Sequence, residues 1–494
     1  MTSETQRSGE SRILELEPGR NCWRIARAHR AALIVDGCDY FRLLRQAMLK
    51  AEKQIFLIGW DLDTRIALDE PGGKGDPPVH LGPFLSWLVK HKPGLKIYIL
   101  AWGAMAYSVL GRGTTLARMA AWRATGDIEF RLDSAHPRAA SHHQKIVVVD
   151  DALAFCGGID VTAERWDRRE HLDDDPGRRR PTTRRRYGPW HDATMALDGA
   201  AALALGDLAR LRWEAATETR LESHGGGGDA WPDELDADFH DVDVAIARTR
   251  GEYGRWAQVR EIETLFADLV ASARRFVYIE TQYFASRVVA EAVGRRLAEP
   301  DGPEFVVVNP KTGLGWLDES VMGPARAELV RALERKDRYG RFQIYTPVTK
   351  AGEDIYVHAK IMIVDDLVLR VGSANLNNRS MGLDSECDVM IDSRLPANRG
   401  AGKAIARLRA DLIAEHLGCE PAEVAARFKE TGSLVATIER LRGSEGRTLL
   451  PFRTPEFSAA LTSVAKKELL DPEGPDQPFE PLSGNKLLAR LKRR

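Results

Sequence analysis

Ser141-His142-His143-Gln144-Lys145-Ile146-Val147-Val148-Val149-Asp150 is the stretch that decides how the chain folds, because it returns as Tyr356-Val357-His358-Ala359-Lys360-Ile361-Met362-Ile363-Val364-Asp365. Both read His-x-Lys-x-x-x-x-Asp, with a largely β-branched apolar run between lysine and aspartate, the composition of a buried strand. Residues two apart on a strand share a face, so each histidine lies beside its lysine. The aspartate stands at an odd offset and cannot share that face on a regular strand. Each His-Lys pair therefore points into a site, while each aspartate orients backbone or a neighbour. Offsets of 14, 15 and 17 from His143 give Gly157, Gly158 and Asp160, and from His358 they give Gly372, Ser373 and Asn375. Repetition over this length marks two copies of one unit.

The 494 residues are 44% hydrophobic and 29% charged, an ordinary globular composition with ample material for a core. A net charge of −1 gives no global field toward nucleic acid or anionic membrane, so any attraction is local. The five cysteines (Cys22, Cys38, Cys156, Cys387, Cys419) are scattered, without CxxC spacing, and read as reduced thiols rather than a disulfide framework or zinc site. No apolar run approaches the roughly 20 residues that span a bilayer. The start, Met1 to Arg7, lacks the apolar core of a signal peptide. The expected location is cytoplasmic or peripheral to the inner membrane, with signal-independent secretion left open.

Strands alternate with helices in both halves, which predicts an α/β fold: two pseudo-symmetric halves, each a mixed β-sheet flanked by helices, packed around one shared active site. A disordered polar lead is expected over 1–12 and the first half over 13–216. It contains a helix over Cys38 to Lys53, strands at Gln54 to Asp61, Leu95 to Trp102 and Ile128 to Leu132, and the first motif at 143–150. Residues 217–240, with Gly225-Gly226-Gly227-Gly228, read as a linker. The second half, 241–400, has a helix over Val259 to Ala273, strands at Phe276 to Phe284, Phe305 to Val308 and Phe342 to Tyr345, and the second motif at 358–365. Residues 401–494 form a C-terminal helical segment with a basic tail, Lys486 to Arg494. Between Arg165 and Arg186 stand nine arginines and five acidic residues, most simply a solvated, flexible loop; the functional alternative is a basic lip gripping phosphate.

If the two units pack with pseudo-twofold symmetry, His143 and His358 face each other, each flanked by a lysine. Two imidazoles suit a two-step displacement, one as nucleophile and the other protonating the leaving oxygen. Two lysines and an amide such as Asn375 suit an anion whose phosphorus becomes five-coordinate. A phosphodiester fits, and with lysines supplying the positive charge no metal is needed. Each histidine needs a carboxylate to fix its tautomer, for which Asp192 and Glu386 are the candidates. His142 lies on the opposite face and reads as structural; His191 reads as a packing residue beside Asp192.

These motifs, with Gly372-Ser373-Ala374-Asn375, Pro189-Trp190-His191-Asp192 and Ile279-Glu280-Thr281-Gln282-Tyr283-Phe284, resemble the phospholipase D superfamily over roughly residues 30 to 395. The run from Ile355 to Cys387 looks closest to the true phospholipases D, in which Asn is usual where Thr281 stands here. The resemblance implies a phosphohistidine intermediate, no cofactor, and transfer to water or an alcohol. It assigns catalysis to His143, Lys145, Asp150, His358, Lys360 and Asp365, with His143 as nucleophile and His358 as acid then base. It gives phosphate binding to Asn375 and Ser373, and histidine orientation to Asp192 and Glu386. Trp60, Trp190, Glu280 and Gln282 are the candidates for a substrate groove. The family's small polar residue and Asn after the first motif are Gly158 and Asp160 here. An aspartate is unfavourable beside phosphate, so Asp160 is expected to turn away or bond a lysine.

The leading expectation is hydrolysis of a glycerophospholipid headgroup, as in phosphatidylcholine to phosphatidate, or transfer of the phosphatidyl group to an alcohol. The rivals are a cardiolipin or phosphatidylserine synthase and, behind them, a nuclease, which the neutral charge and two motifs in one chain disfavour. The expected partner is phospholipid at a membrane surface, met transiently by a monomer, with no nucleic acid.

Overall fold

The computed structural model describes residues 14–73, 75–103, 112, 114–313 and 316–454. The expected polar lead and the basic tail Lys486 to Arg494 lie outside the described residues. The first half contributes β1 (Arg24–Val35), β2 (Gln54–Gly59), β3 (Lys96–Trp102), β4 (Ile128–Asp133), β5 (Ile146–Val149), β6 (Leu153–Gly157), β7 (Trp190–His191) and β8 (Ala193–Asp198). The second contributes β9 (Phe239–Arg250), β10 (Val259–Arg260), β11 (Phe276–Glu280), β12 (Glu304–Val308), β13 (Phe342–Val348), β14 (Tyr356–Val357), β15 (Ile361–Val364), β16 (Val368–Gly372), β17 (Glu386–Asp392) and β18 (Thr448–Pro451).

The order in the first half is β1-β8-β6-β5-β2-β3-β4, and the second repeats it as β9-β17-β16-β15-β11-β12-β13. β2, β3 and β4 are parallel, as are β11, β12 and β13, while the remaining neighbours are antiparallel. Parallel neighbours need crossovers, and helices Leu81–His91, Thr114–Thr125, Arg287–Leu297 and Trp316–Lys336 supply them. β1 pairs antiparallel with β9, so the halves join in one continuous mixed sheet. Among the described residues no helix is long and apolar enough to cross a membrane.

The central strands are buried on both faces, and their period of two separates the cores. Leu33, Val35, Phe56, Ile58, Ile146 and Val148 point into a core shared with Tyr278, Ile361 and Val371 of the second half. The residues between them, including Ala32, Ile34, Ile55, Leu57, Val147 and Val149, face a core of the first half alone. Helices Gly199–Thr217 and Ala401–Leu417 contribute to the shared core. The thiols of Cys156 and Cys387 meet across the halves at 3.6 Å.

Two expectations change. The glycine-rich stretch lies against the first half, where Ser223 bonds Asp151, Asp229 pairs with Arg30, and Trp231 joins the first half's core. The C-terminal segment is built into the second half: helix Ala401–Leu417 enters the shared core, and β18 extends the sheet beside β13.

Candidate active site

The long motif strand is shorter than its β-branched run suggests. Only Ile146–Val149 and Ile361–Val364 are laddered; His143-x-Lys145 and His358-x-Lys360 stand in extended backbone just ahead of them. There the backbone turns to the other half of the molecule. His142 bridges Ser385 in parallel, and the His143 N–H donates to Ser385 O at 3.0 Å. In the mirror position β14 pairs in parallel with β7, and the His358 N–H donates to His191 O at 2.7 Å.

That pairing carries each histidine to the carboxylate of the opposite half. His143 Nδ1 lies 3.0 Å from both oxygens of Glu386, and His358 Nδ1 lies 2.6 Å from Asp192 Oδ2. Asp192 and Glu386 hold equivalent places, since Gly157 pairs with Thr194 and Gly372 with Asp388. An ionised carboxylate only accepts, so Nδ1 carries the proton and Nε2 is left for chemistry on both rings. Gly158 makes room for this: a Cβ there would lie 2.1 Å from Asp192 Oδ1. On the other side Ser373 and Ser380 donate their hydroxyls to Glu386. Ser373, expected at the phosphate, is therefore engaged in positioning Glu386.

The lysines fold back on their own motifs. Lys145 Nζ donates to His143 O at 3.0 Å, and Lys360 Nζ donates to His358 O. Asp160 meets Lys145 at 3.2 Å and takes the Trp60 N–H on its other oxygen, so it bonds a lysine. Gln282 Oε1 lies 3.4 Å from Lys360 Nζ, and its amide nitrogen donates to the Tyr283 and Tyr356 hydroxyls. Asn375 Oδ1 is buried without a hydrogen-bond partner among the described residues. Burial, then the charges of Lys145 and Lys360, holds His143 well below the usual imidazole range. Burial, then Lys360, Arg165, Lys145 and His143, does the same to His358. Burial pushes Lys360 down to about 7, with Asp192 opposing, and pushes Glu386 up to about 7 against the pull of Lys145. The four groups sit within one another's fields, so the two motifs form one site.

Other residues fall elsewhere. Asp150 and Asp365 are corrected from the catalytic set. Asp150 accepts the N–H groups of Glu52, Lys53 and Gln54, and Asp365 those of Arg274, Arg275 and Phe276. They clamp the starts of β2 and β11. Glu280 is no groove residue: it is fully buried and bonds His191, Tyr278 and His416. Trp190 is 4% exposed, its ring 5.0 Å from that of His358, and it braces the imidazole rather than lining an open groove. Trp60 stacks on Trp102 at 5.5 Å and stays half-buried, beside the Asp160–Lys145 pair. His142 is buried against Ser385 Oγ, in a structural place.

The arginine-rich loop is largely pinned. Arg178 is buried against Asp167, Arg169 pairs with Asp411 and Glu415, and Tyr187 donates to Trp166 O. Arg165 stacks 4.2 Å over Trp190 and depresses the His358 pKa, so this loop supplies a cation to the site. A run of nine arginines hides which one does so; only the packed loop distinguishes Arg165. Ser380 was also missed, although it stands only five residues after Asn375, on the short helix Asn378–Gly382.

The chain is similar to known proteins. A family model described as "Phospholipase D" matches residues 338–457. The chain is 24% identical to phospholipase D A of Dictyostelium discoideum, over 79% of this chain and 36% of that protein. It is 24% identical to phospholipase D zeta 2 of Arabidopsis thaliana, over 80% of this chain and 54% of that one. It thus spans between about a third and about half of the length of these two relatives. In fold it is similar to the solved phosphatidylserine synthase of Haemophilus influenzae Rd KW20, at 12% identity and a TM-score of 0.53, covering 83% of this chain and 94% of that chain.

Proposed function

We propose that this chain, which belongs to the phospholipase D superfamily, cleaves the headgroup phosphodiester of a glycerophospholipid and passes the phosphatidyl group to water or an alcohol. The observation that carries the reading is the crossed pair, His143 on Glu386 and His358 on Asp192, with a lysine beside each imidazole. His143 takes the nucleophile's role; its side chain is 15% exposed against 6% for His358, so it is the more open to an entering diester.

His143 Nε2 attacks phosphorus as the bond to the headgroup oxygen breaks, and His358 Nε2–H protonates that oxygen. The depressed pKa keeps His143 neutral and nucleophilic. His358 takes up its second proton from solvent as the substrate binds, because the negative charge of the diester offsets the lysines that disfavour it. Lys145, Lys360 and Asn375 hold the equatorial oxygens as charge builds on them. His358 then accepts a proton from water or alcohol, whose oxygen displaces His143 and restores the enzyme.

The test is product analysis after incubating purified protein with mixed phospholipid vesicles, with and without ethanol. Phosphatidate alone, joined by phosphatidylethanol when ethanol is present, is the expected result. Cardiolipin or phosphatidylserine as the main product would move the acceptor to a lipid hydroxyl or serine. Cleaved single-stranded DNA with no lipid product would overturn the substrate class.

A further inference from the structure

His191 is more than a packing residue. It stands in a fully buried cluster with Asp36, which follows β1; His171, in the arginine-rich loop; and Glu415, on helix Ala401–Leu417. One ligand atom from each of the four lies within 4.8 Å of all the others. His171 Nε2 is 3.6 Å from Asp36 Oδ2 and 3.2 Å from Glu415 Oε1. His191 Nδ1 is 3.3 Å from Asp36 Oδ1 and 2.8 Å from Glu415 Oε1. A tetrahedral zinc with bonds of about 2.0–2.1 Å places its ligand atoms about 3.3–3.4 Å apart, and the four histidine-to-carboxylate distances here, from 2.8 to 3.6 Å and reaching both oxygens of Asp36, bracket that spacing.

Two further observations point to a ligand at the centre. Asp36 Oδ2 is buried without a hydrogen-bond partner among the described residues, a costly state unless something binds it. The outward nitrogens are dressed as those of metal-ligating histidines are: His171 Nδ1 meets Asp167 Oδ2 at 2.9 Å, and His191 Nε2 meets Glu280 Oε2 at 2.8 Å.

We propose that Asp36, His171, His191 and Glu415 bind one zinc ion as a closed structural centre. Two imidazoles and two carboxylates in a tetrahedron suit zinc, and four protein ligands leave no open position for substrate. The centre joins the arginine-rich loop, the end of β1, β7 and the C-terminal helix. It also steadies catalysis at one remove, because Asp36 Oδ1 accepts the Asp192 N–H at 3.0 Å and the Asp36 N–H donates to Asp192 O at 2.7 Å. No step of the phosphoryl reaction passes through it, so lipid cleavage and zinc binding fail independently.

The test is elemental analysis of the purified full chain after exchange into metal-free buffer, and again after incubation with zinc. About one zinc per chain is expected. Cobalt added to the chelator-treated wild type should give the intense visible absorption of a four-coordinate ion, a readout needing no variant to fold. His171→Ala and Glu415→Gln, checked by circular dichroism, should lose the zinc. A chain that holds no zinc before or after incubation would overturn the proposal, as would variants that retain it at the wild-type level.

Discussion

Glu386 and Lys360 reach neutrality from opposite sides, each driven there mainly by burial. The sign of each effect follows from its task. Glu386 fixes the His143 tautomer only when ionised, so protonation below about 7 removes the orientation. Lys360 holds a phosphoryl oxygen only when charged, so deprotonation above about 7 removes the binding. The profile of kcat/KM against pH is therefore expected to be a narrow bell centred near neutrality. Bound diester favours the charged lysine, so the alkaline limb of kcat should lie above that of kcat/KM. Glu386→Gln should lower kcat on the order of 10²–10⁴-fold while the fold survives. A profile flat from about pH 5 to about pH 9 would remove both assignments.

The motif aspartates belong to the hairpins that carry the site. Asp150 and Asp151 close the turn from β5 to β6 at φ of 53° and 56°, and Asp365 and Asp366 close the turn from β15 to β16, both at 57°. Aspartate is among the few residues that tolerate this left-handed region. Its carboxylate then gathers three backbone N–H groups at the start of the neighbouring strand. Asp150→Ala or Asp365→Ala leaves those donors without a partner, at a cost of about 2–4 kcal/mol. Thermal melts should show the loss, while turnover per folded molecule stays near wild type. An Asp150→Ala protein with unchanged Tm and no turnover would return the residue to the catalytic set.

The duplicated α/β halves were legible from one repeated decapeptide, because a duplicated strand with its glycines implies duplicated sheets; the place of the C-terminal segment in the shared core was not. The odd offset of the aspartate already placed it off the His-Lys face. What local pattern does not carry is partnership across the halves. His143 and Glu386 are 243 residues apart, and His358 and Asp192 are 166 apart. Both carboxylates were recognisable as candidates, but the crossing appears only when the backbone before each histidine pairs with the other half. Glu280 was misread for the same reason: its partners His191 and His416 come from distant elements. Asp36, His171, His191 and Glu415 have no spacing that a metal motif would show.

The central claim is a single site in which His143 attacks and His358 serves as acid. It is tested most directly in His358→Ala, using a phosphodiester whose leaving group is nitrophenolate. That group departs without protonation, and the missing base then stalls the second step. The account predicts a burst of nitrophenolate close to one per enzyme and a phosphoryl adduct that peptide mass spectrometry maps to His143. His143→Ala should give neither. No adduct on His143, or the same adduct on another residue, would contradict it.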